Sequence, residues 1–242
     1  MAVGLVAALA ACGGTGDEPS TVVMSAAASL TDVFTEVESA FEAANPGVDV
    51  VLNFAGSSSL REQILEGAPI DVFASADPGN MERVAAAGDV EGEPVIFARN
   101  TMQIAVPAGN PGGVTGLADF ADETLSIGLC AEGVPCGDLA RRVLAGAGVT
   151  PAIDTNEPDV RALLTKIEAG ELDAGLTYVT DVIEAGGSVI GIDIPEDVNV
   201  VAEYPISALA NAPDPAMARA LVDFILSDKG RAILTDHGFS VP

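Results

Sequence analysis

The sequence predicts an α/β protein of two lobes joined by two crossing segments. Three features of the 242-residue chain lead there. Strand and helix patterns alternate from Thr21 to Ala87, as in a mostly parallel sheet flanked by helices. Two apolar β runs between Pro94 and Pro107 interrupt that alternation, and a second α/β series follows them. A return run near 198–209 then leads into two closing helices, which rejoin the first lobe. The expected division is a leader and tether at 1–20, lobe 1 at 21–98 with 203–242, and lobe 2 at 99–202.

Each element has its own signal. Val22-Val23-Met24 begins a strand that breaks at Ala27-Ala28-Ser29-Leu30. Val33, Phe34, Val37 and Phe41 fall at helical spacing over Thr31 to Ala44. Asn45-Pro46-Gly47 stops that helix. Asp49 to Phe54 is the next strand, then Gly56-Ser57-Ser58-Ser59 and a helix from Leu60 to Glu66. Asp71 to Ser75 is the third strand, with a helix at Asn80 to Ala87. Val95 to Ala98 and Met102 to Val106 make the first crossing. The second series holds a strand at Leu125 to Leu129, helices at Asp138 to Ala147 and Asp159 to Ala169, and a strand at Ala174 to Tyr178. Val198 to Ala202 and Ile206 to Leu209 make the return. Helices at Pro215 to Leu226 and Gly230 to Thr235 close the chain.

Composition narrows the function. Ten Lys and Arg against 36 Asp and Glu give a formal charge of −26. That excludes a nucleic-acid binder, which needs clustered cations, and docking on anionic lipid through a basic patch. It leaves room for a small anion held locally by backbone amides. A hydrophobic content of 49% supplies a core, while aromatics are only 4%, too few for the aromatic walls of an organic-solute site.

The three cysteines point outside the cytoplasm. Met1 to Ala11 is almost wholly apolar and leads into Leu9-Ala10-Ala11-Cys12-Gly13, which resembles a lipoprotein box with Cys12 as the acylated residue. It departs from that pattern in having no Lys or Arg before the apolar run. The stretch from Gly13 to Ser20 reads as a tether. In an exported chain, Cys130-Ala-Glu-Gly-Val-Pro-Cys136 favours a disulfide that pins a loop. A zinc site would need two more ligands in a chain with one His, and a redox pair normally has two intervening residues.

The strand-to-helix junctions carry small neutral donors. Ser29 and Ser57 follow the first and second strands, and each reads locally as a helix N-cap. Cys136 lies at the start of one helix and Val160 in the first turn of another, where amides lack intrahelical acceptors. Tyr178 ends a strand and offers a phenolic donor or a core ring. Arg161, beside Val160, is expected to point outward or pair with an acid rather than clamp a ligand.

Five segments, taken together, resemble the extracytoplasmic molybdate-binding proteins of molybdate ABC transporters. They are Ala26-Ala27-Ala28-Ser29-Leu30-Thr31, Phe54 to Leu60 with its Gly-Ser-Ser-Ser, Gly67 to Asp77, Asp159 to Leu163, and Gly175-Leu176-Thr177-Tyr178. The resemblance runs in register from about residue 22 to Gly238-Phe239. It implies a type II periplasmic-binding-protein fold that captures molybdate or tungstate between its lobes. Ser29 and Ser57 would donate hydroxyl and amide hydrogen bonds, Cys136 and Val160 their backbone amides, and Tyr178 its hydroxyl. The metal would be held through its oxygens, with no direct metal ligand and no cofactor. The implied partner is a membrane permease, with anchoring through Cys12, no nucleic acid, and a monomeric state. The Cys130/Cys136 pair departs from the commonest pattern of that family. Two other readings stay open: the same fold for sulfate or a small organic solute, and a serine hydrolase using Ser29 or Ser57 with His237. The second lacks a Gly-x-Ser-x-Gly elbow.

Overall fold

A computed structural model describes residues 20–242. Cys12 and the expected leader and tether through residue 19 lie outside the described residues.

The first sheet is built from β1 (Ser20–Ala27), β2 (Val48–Ala55) and β3 (Val72–Ala74), with β1 at the centre and parallel to both. Their intervening helices are α1 (Thr31–Ala44) and α2 (Ser57–Leu65), and α3 (Pro78–Ala87) follows β3. Val33, Phe34, Val37 and Phe41 of α1 are all buried, as their spacing requires. Each such side chain contributes roughly 1.5–3 kcal/mol on leaving water. The chain then enters β4 (Val95–Pro107), one strand of 13 residues where two runs are expected from the sequence. Its first part pairs with β9 (Val201–Ala208), with a register shift between Ile96 and Ala98, and its last part pairs with β7 and β8 in the second sheet. β4 therefore passes from one lobe to the other without a break, and β9 beside it makes the return.

The second sheet holds β5 (Ile127–Cys130), β6 (Thr155–Glu157), β7 (Ala174–Tyr178) and β8 (Val189–Ile192). Its helices are α4 (Pro135–Gly146), α5 (Val160–Glu168) and α6 (Val179–Ala185). Of the last helices, α7 (Pro215–Leu226) packs on α1 and β9 and α8 (Asp228–Asp236) packs on α1 and α7. Four strand pairings are parallel and four antiparallel, so the sheets are mixed rather than mostly parallel. The cause is the crossing strands, which run against their neighbours in both lobes.

Small residues bring the site helices close to the sheet. A Cβ on Gly128 would lie 2.4 Å from Leu172 Cδ1 and 2.8 Å from Leu163 Cδ1, and one on Gly175 would lie 2.9 Å from Ile167 Cδ1. A side chain at either strand position would press on the tips of Leu163 and Ile167 of α5. The carboxyl ends of β1, β2 and β3 face those of β5, β6 and β7 across a shared cavity, where ligands bind in open α/β sheets.

Candidate functional site

Ser29, Ser57, Cys136, Val160 and Tyr178 line one small cavity between the lobes. It offers about 200 Å³ of free space with its mouth included, and the centre of a water-sized body can occupy about 10 Å³ of it. All five residues are buried.

The serines do not cap helices. Ser29 sits inside a single 3-10 turn, Ala28–Leu30, and makes no capping bond. Gly56 occupies the N-cap of α2, so Ser57 is the first helical residue. Sequence favours Ser as a cap on local grounds, but backbone geometry gives that place to Gly56. The Ala76 amide donates to Ser57 Oγ at 3.0 Å. Ser29 Oγ lies 3.1 Å from Tyr204 Oη.

Backbone amides come from helix starts of both lobes. The first N–H groups of α2, α4 and α5 have no intrahelical acceptor. In α4 these include Cys136, which follows Pro135 at the first position. The expected disulfide is present between Cys130 and Cys136, with Cα atoms 5.8 Å apart. It ties the start of α4 to the end of β5. In α5 the Asp159 carboxylate accepts from the Ala162 amide at 2.9 Å, which leaves the Val160 amide uncapped. Asp159 itself lines the cavity, a carboxylate-bearing residue that the sequence does not flag, but its charge is engaged on the helix.

Tyr178 ends β7 with its hydroxyl buried and without a hydrogen-bond partner among the described residues. Burial pushes that hydroxyl well above the ordinary phenol range, with Tyr204 and Asp181 adding to the shift, so it keeps its proton. Asp181 is buried beneath it and accepts from the Tyr178 amide at 2.9 Å. Burial raises the Asp181 carboxyl to about 7 against that hydrogen bond and the Arg161 charge. Arg161 pairs with Asp32 of α1 at 2.8 Å, the acid partner expected of it.

The lobes touch at the cavity mouth. A Cβ on Gly56 would lie 2.6 Å from the Pro158 carbonyl oxygen across the cleft. His237 is not among the cavity residues. Its Nδ1 lies 2.5 Å from Glu184 and its Nε2 3.0 Å from Glu36. Burial lowers its pKa, but the two carboxylates outweigh burial and raise it. A base held there cannot activate either serine. Among the described residues no group of three His, Cys, Asp or Glu is placed to hold a metal ion. Ala76, Tyr204, Asp181 and Gly56 are the contributors that the sequence alone does not single out.

Two lobes closing on a cavity of neutral donors define a solute-binding protein, and the chain belongs to the bacterial extracellular solute-binding proteins, whose family pattern matches residues 22–240. Such proteins bind and transport solutes and are not a class of enzymes. The molybdate-binding protein ModA of Mycobacterium tuberculosis is 40% identical over 247 residues, covering 98% of this chain and 95% of that one. ModA of Escherichia coli is 29% identical and covers 98% and 96% respectively. In fold, the chain is similar to the Azotobacter vinelandii periplasmic molybdate-binding protein, with a TM-score of 0.80 and 19% identity over 91% of this chain and 99% of that one. The sulfate-binding protein SubI of M. tuberculosis gives a TM-score of 0.80 and 17% identity over 92% and 87%. The fold alone therefore does not select the anion.

Proposed function

We propose that this protein binds molybdate or tungstate in the interlobe cavity and delivers it to the membrane permease of an ABC transporter. The observation that carries the reading is the convergence of uncharged donors from both lobes on one space sized for a small body. Ser29 and Ser57 would donate through hydroxyl and amide, Cys136 and Val160 through their amides, and Tyr178 through its unpartnered hydroxyl. Each hydrogen bond to an ionised group contributes about 1.5–3 kcal/mol net. Seven such bonds cover the ~8 kcal/mol of micromolar affinity, with a surplus against the cost of association. The 40% identity to a molybdate-binding protein over nearly the whole chain supports the choice of anion.

The finer assignments belong to the same reading. Lobe 1 is 21–98 with 203–242, and lobe 2 is 99–202. The protein acts as an extracytoplasmic monomer held at the membrane by acylation of Cys12, with no cofactor and no catalysis. Parallel calorimetric titration with molybdate, tungstate, sulfate and phosphate tests the function. Heat with molybdate or tungstate is the expected result. Binding of sulfate alone, or of none, overturns the assignment.

A further inference from the structure

We propose that His237 is a proton-dependent latch between the lobes, one that couples retention of the anion to pH. The proposal rests on reading the cavity as an anion site that closes around its ligand. His237 is the C-cap of α8, which packs on α1 and α7. Its Nδ1 lies 2.5 Å from Glu184 of α6, a helix packed on β7 and β8 of the second sheet. Its Nε2 lies 3.0 Å from Glu36 of α1. A neutral imidazole has one N–H and one lone pair, so in either tautomer one carboxylate would face a lone pair. Both contacts are hydrogen bonds only when the cluster holds one further proton, on the ring or on a carboxyl. Neither carboxylate has a Lys or Arg partner among the described residues, so the ring's positive charge is what offsets them. The C-terminal end of α8 favours that charge as well. The fit between the helices is close: a Cβ on the next residue, Gly238, would lie 2.7 Å from Ile183 Cδ1 of α6.

Three other acids flank these groups on their helices. Asp236 precedes the ring on α8 and is exposed. Asp32 lies one turn before Glu36 on α1 and pairs with Arg161 of α5 at 2.8 Å. Asp181, one turn before Glu184 on α6, is buried and accepts from the Tyr178 amide. α1 packs on α8, and α5 packs on α6. A hinge motion that parts Arg161 from Asp32 therefore draws Glu184 away from His237 too. The open form leaves the ring with Glu36, whose side chain is 56% exposed and well screened by water. Burial works against the charged ring and the two carboxylates outweigh it, so in the closed form it titrates above its ordinary 6.5. Closure and protonation thus favour one another, and so do anion binding and protonation. The gain in affinity is complete below about pH 6.5 and is lost as pH rises through the raised value.

The test is calorimetry with molybdate and with sulfate from about pH 6 to about pH 9, in pairs of buffers with different heats of ionisation. Both anions are fully ionised over that range, so protons counted on binding belong to the protein. Wild-type affinity should fall about three- to fivefold across the range, and binding near neutrality should take up a fraction of a proton. His237→Gln and Glu184→Gln should each remove the fall and the uptake. Asp181→Asn should keep both, which separates the latch from the other group that titrates near neutrality. His237 is the one histidine of the chain, so its ring signals can be followed by NMR without ambiguity. They should titrate at higher pH in the anion-loaded protein than in the free one. A wild-type affinity that does not change with pH, a fall that persists in His237→Gln, or equal titration of the free and loaded forms would overturn the proposal. If the wild-type protein binds sulfate and not molybdate, the ligand assignment falls while the latch is read with sulfate. If it binds neither anion at any pH, both readings fall.

Discussion

The Tyr178 hydroxyl is buried with no hydrogen-bond partner among the described residues, a state that costs about 1–3 kcal/mol. An oxyanion bound in the cavity that Tyr178 lines would satisfy it. Tyr178→Phe should leave the melting temperature of the ligand-free protein unchanged or higher, while weakening oxyanion binding by about ten- to a hundredfold. Scanning fluorimetry and calorimetry on one preparation check both halves, and wild-type affinity in the variant would remove Tyr178 from the site. Asp181 gives a pH prediction. Its folded pKa of about 7 stands above the ordinary 3.8, so between those values the folded chain holds a proton that the unfolded chain has released. Stability from this group is complete below about pH 4, is lost as pH rises to about 7, and is level beyond. Asp181→Asn keeps an acceptor for the Tyr178 amide and has no proton to lose. Its melting temperature should gain on the wild type across pH 4 to 7, and a constant difference would contradict the assignment. At this scale the five lining residues were legible because each marks the end of a strand or the start of a helix. Tyr204 and Ala76 were not, since their bonds to Ser29 and Ser57 span 175 and 19 residues of sequence.

Among the elements, α4 shows how a helix start is held in place for binding. Proline opens it, the disulfide ties it to β5, and glycine follows at once. A Cβ on Gly137 would lie 2.1 Å from the Ala131 carbonyl oxygen and 2.5 Å from that of Cys130. Gly137→Ala must therefore push the helix start away from the end of β5 and carry the Cys136 amide with it. The expected result is a lower melting temperature together with an affinity loss of about tenfold or more. Full retention of affinity would show that this amide does not contribute. Long, strongly periodic elements were read well: α1 and α7 have the bounds their patterns suggest. The three-residue β6, the four-residue β8 with its glycine, and the seven-residue α6 were missed, being too short to establish a period. The serine caps were misread because capping preference is a local rule and here the chain direction at Gly56 decides it.

For the molecule as a whole, function depends on the lobes meeting. The Gly56–Pro158 approach, the Arg161–Asp32 pair and the two carboxylates around His237 all join segments far apart in sequence. Gly56 adopts φ −59°, a conformation open to any residue, so its role is space rather than flexibility. Gly56→Ala should fold with an unchanged melting temperature and yet block closure. Affinity should fall at least tenfold, and small-angle scattering should lose any compaction on adding molybdate; unchanged affinity would show that the lobes need not come this close. The two-lobed plan was legible because a change in strand and helix rhythm survives in sequence, whereas the contact surfaces between the halves leave no periodic trace. The order of strands has a consequence in time. β3 has β1 on one side and β9 on the other, and β9 is the last strand of the chain. The first half thus keeps a raw edge until residues 201–208 arrive to seal it. A polypeptide wired in this way stays pliable through most of its emergence and sets only near the finish.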